Sequence, residues 1–110
     1  MIKVALFGQK TSTSLTDIIP EFLNYLNKNN IIYCVEKKFL EILKESTSID
    51  LSKVEIYTSY EDLDKSVKFL FSFGGDGTIL SATTFIQDSN IPIIGVNTGR
   101  LGFLATINKS

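Results

Sequence analysis

The sequence predicts an α/β fold, a layered and mostly parallel sheet flanked by helices, and three observations carry that prediction. Short apolar runs such as Ile2–Phe7, Ile31–Val35, Val67–Phe73 and Ile91–Val96 are continuous rather than alternating, as expected of parallel strands covered on both faces. The stretches between them place apolar residues every three or four positions, the helical period. Parallel neighbours need such crossover connections. Finally, two glycine-containing loops, 74–78 and 97–102, each follow directly after an apolar run. In open α/β sheets, ligands bind beyond the carboxyl ends of the strands.

In chain order, Ile2 to Phe7 is the first expected strand, ended by Gly8, and Gln9 to Thr16 is a polar loop rich in Ser and Thr. Asp17 is the expected N-cap of the first helix, which would put Pro20 in its first turn, where proline is tolerated. Ile18/Ile19, Phe22/Leu23 and Leu26 give that helix an apolar stripe, and Asn29-Asn30 ends it. Ile31 to Val35 is a second strand, and Phe39, Leu40, Ile42 and Leu43 at helical spacing predict a short helix. A polar break from Thr47 to Asp50 leads to a short strand, Val54 to Tyr57, and then to a turn or single helical turn at Tyr60 to Asp64. Val67 to Phe73 is the next strand. The helix after the glycine turn runs to about Gln87, with Leu80, Thr83 or Thr84, and Ile86 expected on one side. Ile91 to Val96 is a further strand with Pro92 near its start. Phe103 to Ile107 is apolar again and reads as a strand that stops without a closing helix, so a fragment with further residues beyond Ser110 is expected.

The totals narrow the function classes. With 110 residues this is one domain at most, able to bury about two-thirds of its unfolded surface. Hydrophobic residues at 44% and charged residues at 21% exclude the disordered class. A net charge of −1 gives no reason to expect a nucleic-acid or anionic-membrane partner. No run approaches the ~18 apolar residues of a membrane span and no signal-peptide pattern opens the chain, so a cytoplasmic location is expected. The single cysteine, Cys34, lies in an apolar run and is expected to be a buried, inert thiol in a reducing compartment. Histidine is absent, so acid–base chemistry supplied here must come from carboxylate, Lys, Tyr or Cys.

The first glycine loop, Gly74-Gly75-Asp76-Gly77-Thr78, joins a strand end to a helix start. Free backbone N–H groups and the positive end of the helix dipole make such a turn hospitable to an anion. No Gly-Lys-Ser/Thr follows, so it is not a P-loop, and Leu80 stands where a dinucleotide fingerprint needs its third glycine. Two readings stand side by side. In one, the glycines provide positive φ and Asp76 or Thr78 caps a helix. In the other, the glycines let a substrate approach the backbone and Asp76 is the reactive group. Phosphoryl transfer suits the second reading, because it needs positioning, charge neutralisation and a carboxylate to deprotonate a hydroxyl nucleophile. A helix N-terminus is expected to depress the pKa of Asp76, keeping it ionised at pH 7 and delaying its proton uptake. In the second loop, Asn97, Thr98 and Arg100 offer hydrogen bonds, and Arg100 is the natural partner of a phosphate or carboxylate. Phe103 is either a base-stacking ring or the first core residue of the next strand.

Together the two loops reach a known family. Gly-Gly-Asp-Gly-Thr after an apolar strand, followed by Gly-Val-Asn-Thr-Gly-Arg-Leu-Gly-Phe-Leu, closely resembles the N-terminal domain of NAD kinases. The first motif alone is shared with diacylglycerol- and sphingosine-kinase-like enzymes and loosely with phosphofructokinases, and the second singles out NAD kinase. The resemblance implies a phosphofructokinase-like N-terminal α/β nucleotide-binding domain over residues 1–110, with a β-rich C-terminal domain missing from this chain. It implies a phosphotransferase with an alcohol acceptor, moving a phosphoryl group from ATP, or in some members polyphosphate, to the 2′-hydroxyl of the adenosine ribose of NAD to give NADP. By that resemblance Asp76 takes the hydroxyl proton, Gly77 contacts NAD, Gly74, Gly75 and Thr78 form the phosphate-side turn, and Phe103 lines the nucleotide pocket. Ser81 stands where many members carry a basic residue, and Leu104 where some carry Tyr. Mg²⁺ is implied by the use of ATP, although the sequence has no obvious all-protein magnesium site. The complete protein is expected to be a homodimer or tetramer, and residues 1–110 alone are expected to fold but to be inactive. The alternatives are a diacylglycerol-kinase-like lipid kinase domain and a non-catalytic nucleotide-binding module.

Overall fold

A computed structural model of the chain describes residues 2–9, 13–46, 50–63, 65–74, 76–86, 90–97 and 103–107. Among these described residues, six strands and three helices follow one another as β1 (Lys3–Gly8), α1 (Thr13–Lys28), β2 (Ile32–Glu36), α2 (Lys37–Ser46), β3 (Glu55–Tyr57), β4 (Val67–Gly74), α3 (Asp76–Ile86), β5 (Ile93–Asn97) and β6 (Phe103–Ile107), with a 3-10 turn at Tyr60–Asp62. The strands form one sheet in the order β3-β2-β1-β4-β5-β6. Its first five strands are parallel and β6 runs antiparallel to β5. The expected mostly parallel α/β fold is therefore present, and β1 and β4 lie at its centre, where continuous apolar runs are buried on both faces.

Strand alternation divides the core into two layers. Val4, Leu6, Val35, Phe73 and Val96 face α1 and α2, packing against Ile19, Leu23, Leu26, Phe39, Leu40 and Leu43. Ala5, Phe7, Cys34, Leu70 and Ile93 face the other way, towards Tyr57 of β3 and towards Ala82 and Ile86 of α3. Cys34 is buried, with its Sγ 3.7 Å from the Val4 carbonyl. Phe22 of α1 meets Phe71 and Phe73 edge-on, with ring centroids 4.9 Å and 5.1 Å apart, and Phe39 of α2 stacks on Phe73 at 5.6 Å. Such pairs contribute about 0.5–1.5 kcal/mol each beyond their buried area. Their effect is to fix the carboxyl end of β4. On the opposite layer, Phe85 packs against Phe7 and Tyr57, and the Tyr57 hydroxyl donates to the Leu6 carbonyl at 2.8 Å.

Two local expectations are corrected. The first helix starts at Thr13, so Asp17 lies within it instead of capping it, and Pro20 falls inside the helix beyond the first turn. There the missing proline N–H leaves the Thr16 carbonyl without its helical donor. The burial of Ile19, Leu23 and Leu26 outweighs that loss and carries the helix through. In α3, Leu80 is 69% exposed, and the packed stripe is Ala82 and Ile86 with Phe85 beside them. Leu80 precedes Ile86 by six residues, which at about 100° per residue turns it roughly 120° away from the packed side. Having apolar residues on both sides, α3 gives a weak periodicity signal that does not fix its phase. The second strand leads into α2 without a linker: Glu36 ends β2, and its carboxylate accepts the Phe39 backbone N–H at 3.0 Å, capping the helix.

Candidate functional site

β4 (Val-Lys-Phe-Leu-Phe-Ser-Phe-Gly) delivers the chain to the candidate site. Gly74 ends it at φ 149°, in the region that glycine favours. A Cβ there would also collide with the Oγ1 and Cβ of Thr78, whose side chain folds back over the strand end. Gly74 is therefore required by both backbone and space. Gly75 lies outside the described residues, and Asp76 is the first residue of α3. The first backbone N–H groups of a helix have no intrahelical partner, and the dipole adds partial positive charge at the same end. Gly77 is exposed, and a Cβ built on it would meet no atom of the described residues within 4 Å. Two glycines three residues apart thus do different things: one closes the turn onto Thr78, the other leaves its outer surface open.

Sheet register brings the second motif alongside. Gly74 of β4 pairs with Asn97 of β5, and Asn97 pairs with Phe103 of β6. Three residues that are far apart in the chain thus form one row across the carboxyl end of the sheet, about 10 Å wide at the usual spacing between strands. Leu104 pairs with Val96, one position further from the edge. Thr98 and Arg100 lie outside the described residues. Ser81 is half-buried on α3 and lines a shallow open cleft with Leu80, Thr84 and Phe85. The structure therefore gathers Gly74, Asp76, Gly77, Thr78, Asn97 and Phe103 at one edge, with Ser81 one helical turn beyond.

Sequence reasoning passed over one residue near this edge. Ser72 is fully buried on β4, two positions before Gly74, and its hydroxyl has no hydrogen-bond partner among the described residues. The signal available was a lone hydroxyl inside an apolar strand. Elsewhere, the resolved electrostatic shifts are structural in character. The Asp62 carboxyl is held below its usual range by hydrogen bonds from Thr58 and Ser59, and Asp50 by those from Ser52. Burial pushes the Tyr57 phenol up. The described residues contain no group of three or more His, Cys, Asp or Glu side chains able to hold a metal ion, and no helix among them is long and apolar enough to cross a membrane.

The family described as ATP-NAD kinase N-terminal domain matches residues 4–110, which includes both glycine loops. The chain is 48% identical over 108 residues to a protein named NAD kinase from Flavobacterium psychrophilum, covering 98% of this chain and 36% of that relative. Proteins of the same name from Flavobacterium johnsoniae and Christiangramia forsetii are 39% and 38% identical, with the same coverage. The chain thus spans about a third of the length of the curated relatives it matches. Motif, register and similarity converge, and the chain belongs to the NAD kinase family.

Proposed function

We propose that this chain forms the N-terminal half of the site of an enzyme that transfers the γ-phosphoryl group of ATP, or a phosphoryl group of polyphosphate, to the 2′-hydroxyl of the adenosine ribose of NAD. The observation that carries the reading is the row Gly74–Asn97–Phe103 set beside a helix that begins at Asp76, with open space at Gly77. Membership of the NAD kinase family supplies the substrate class. In this reading a bond forms between the ribose O2′ and the phosphorus, the bond from that phosphorus to the bridging oxygen of ATP breaks, and ADP leaves. The 2′-hydroxyl proton passes to the Asp76 carboxylate. Such a general base contributes about 10²–10⁴-fold.

Gly74, Gly75 and Thr78 form the phosphate-side turn, where first-turn N–H groups of α3 favour negative charge. Gly77 admits the nucleotide to the backbone, Phe103 supports its base, and Asn97, Thr98, Arg100, Ser81 and Leu104 complete the rim. A divalent cation such as Mg²⁺ accompanies ATP and offsets the charge of its phosphates. Mg²⁺ is commonly carried by substrate phosphates with one or two carboxylates, and no all-protein cage is needed for that role. The remaining grip on NAD comes from a β-rich C-terminal domain, and the complete protein is a cytoplasmic homodimer or tetramer.

The test is Asp76→Asn in the complete protein. Turnover should collapse while NAD affinity stays within several-fold, and turnover near that of the unaltered protein would make Asp76 a helix residue only. Residues 1–110 prepared alone should form no NADP. NADP formation by a clean preparation would show that the half-site is sufficient.

A further inference from the structure

We propose that the Ser72 hydroxyl is a positioning group for the glycine turn, making a hydrogen bond to Gly74 or to the first turn of α3 when a nucleotide is bound. The proposal deepens the phosphotransferase reading and rests on it. Ser72 is 0% exposed, and among the described residues its Oγ is the one buried side-chain oxygen or nitrogen without a hydrogen-bond partner. A buried hydroxyl left unpaired carries a desolvation cost, so a native protein that keeps one calls for a physical reason.

Its place in the fold supplies that reason. Phe71 and Phe73 pack against Phe22 of α1, so Ser72 between them points to the opposite face, beneath α3. Gly74 shares that face, and the space its missing Cβ leaves is taken by Thr78. Ser72 is therefore the next residue down the column from the turn, about 7 Å away along the strand. Its lateral partners are Phe7 on β1 and Gly95 on β5, neither of which brings a polar side chain. Two other hydroxyls of α3 are already used within the helix: Thr83 donates to the Ile79 carbonyl and Thr84 to the Leu80 carbonyl. Among the described residues of that column, the polar groups left to meet it are the Thr78 hydroxyl, which folds over Gly74, and the backbone groups of Gly74 and of the first turn of α3. If the position only needed a small side chain beneath α3, alanine would fill it at no desolvation cost. The hydroxyl is explained if the turn reaches it in the bound state.

Ser72→Ala and Ser72→Cys in the full-length protein test this, with thermal melting and dissociation constants measured without ligand, with NAD, and with ATP and Mg²⁺. For Ser72→Ala the ligand-free Tm should be unchanged or raised by a few degrees. The dissociation constant for at least one of NAD and ATP–Mg²⁺ should rise about 3–10-fold, the worth of one net hydrogen bond, and the Tm gain caused by that ligand should shrink. Ser72→Cys, a similar shape with a weaker donor, should recover part of the loss. A lowered ligand-free Tm with unchanged affinities would make the hydroxyl purely structural and overturn the proposal, as would no change in either. If the unaltered protein neither gains stability with either nucleotide nor forms NADP, the phosphotransferase reading fails and this proposal with it. An active unaltered protein whose Ser72→Ala variant binds both nucleotides normally removes the positioning role alone.

Discussion

β1 and β4 are neighbouring parallel strands that both end in glycine, and Gly8 lies level with Phe73, one residue short of Gly74. At the end of β1 the room left by the missing Cβ is filled by the ring of Phe39, so the strand is shut by core packing from α2. At the end of β4, Gly74 lets the chain turn back onto Thr78, and Gly77 then faces open space. The same residue type therefore serves packing at one strand end, turning at the next, and access three residues later. Glycine in a loop does not identify a site; what occupies the space beside it does.

Five substitutions would break or sharpen this contrast. The largest effect belongs to the open end: Asp76→Asn should lower turnover about 10²–10⁴-fold with little change in Tm, measured by NADP formation beside a melting curve. A comparable loss of turnover on changing the closed end, without loss of stability, would erase the distinction. Gly8→Ala and Gly74→Ala should each destabilise by about 1–3 kcal/mol in urea unfolding, the first by overpacking against Phe39 and the second by backbone strain and the Thr78 contact. Gly77→Ala should act in the opposite sense on stability, gaining about 0.5–1 kcal/mol because alanine suits a helix and meets no neighbour. Its nucleotide affinity should nevertheless fall about tenfold, or about 1.4 kcal/mol, and unchanged affinity by calorimetry would mean that no ligand uses the open space.

The smallest effect tests the closed end. Tyr57→Phe removes the hydrogen bond to the Leu6 carbonyl, two residues before Gly8, and should cost about 0.5–1 kcal/mol near pH 7. Burial raises the Tyr57 pKa in the folded state above its ordinary value near 10. The stability tied to the neutral phenol is therefore intact below about pH 10 and lost as pH rises further, when the unfolded chain ionises and the folded one resists. Phenylalanine should flatten that alkaline loss, a result readable from melting curves between neutral and alkaline pH.

Much of the architecture was legible because the parallel strands are buried on both faces and show themselves as unbroken apolar runs. Val67–Phe73 and Ile2–Phe7 were placed within a residue of β4 and β1. What failed was local evidence that longer contacts override. Asp17 and Pro20 look like a helix start, yet packing of Ile19, Leu23 and Leu26 onto the sheet extends the helix back to Thr13. Leu80 is expected on one side with Ile86, yet Ile79, Leu80, Phe85 and Ile86 ring α3 with apolar side chains and leave its phase to tertiary contacts. Ser72 escaped notice because a hydroxyl's burial and lack of partner are properties of its neighbours.

The sequence by itself determined the element types, the glycine turn opening a helix at Asp76, and a pair of motifs specific enough to name a family. Those are local facts, fixed by side-chain periodicity and by residues adjacent in the chain. Only the tertiary structure decided that β4 lies between β1 and β5, that β6 turns antiparallel, and that Phe103 consequently stands level with Asn97 and Gly74. It also decided that Phe39 closes one glycine while another stays open. Each of these depends on hydrogen-bond register or packing between residues many positions apart, and no local window of sequence contains both partners.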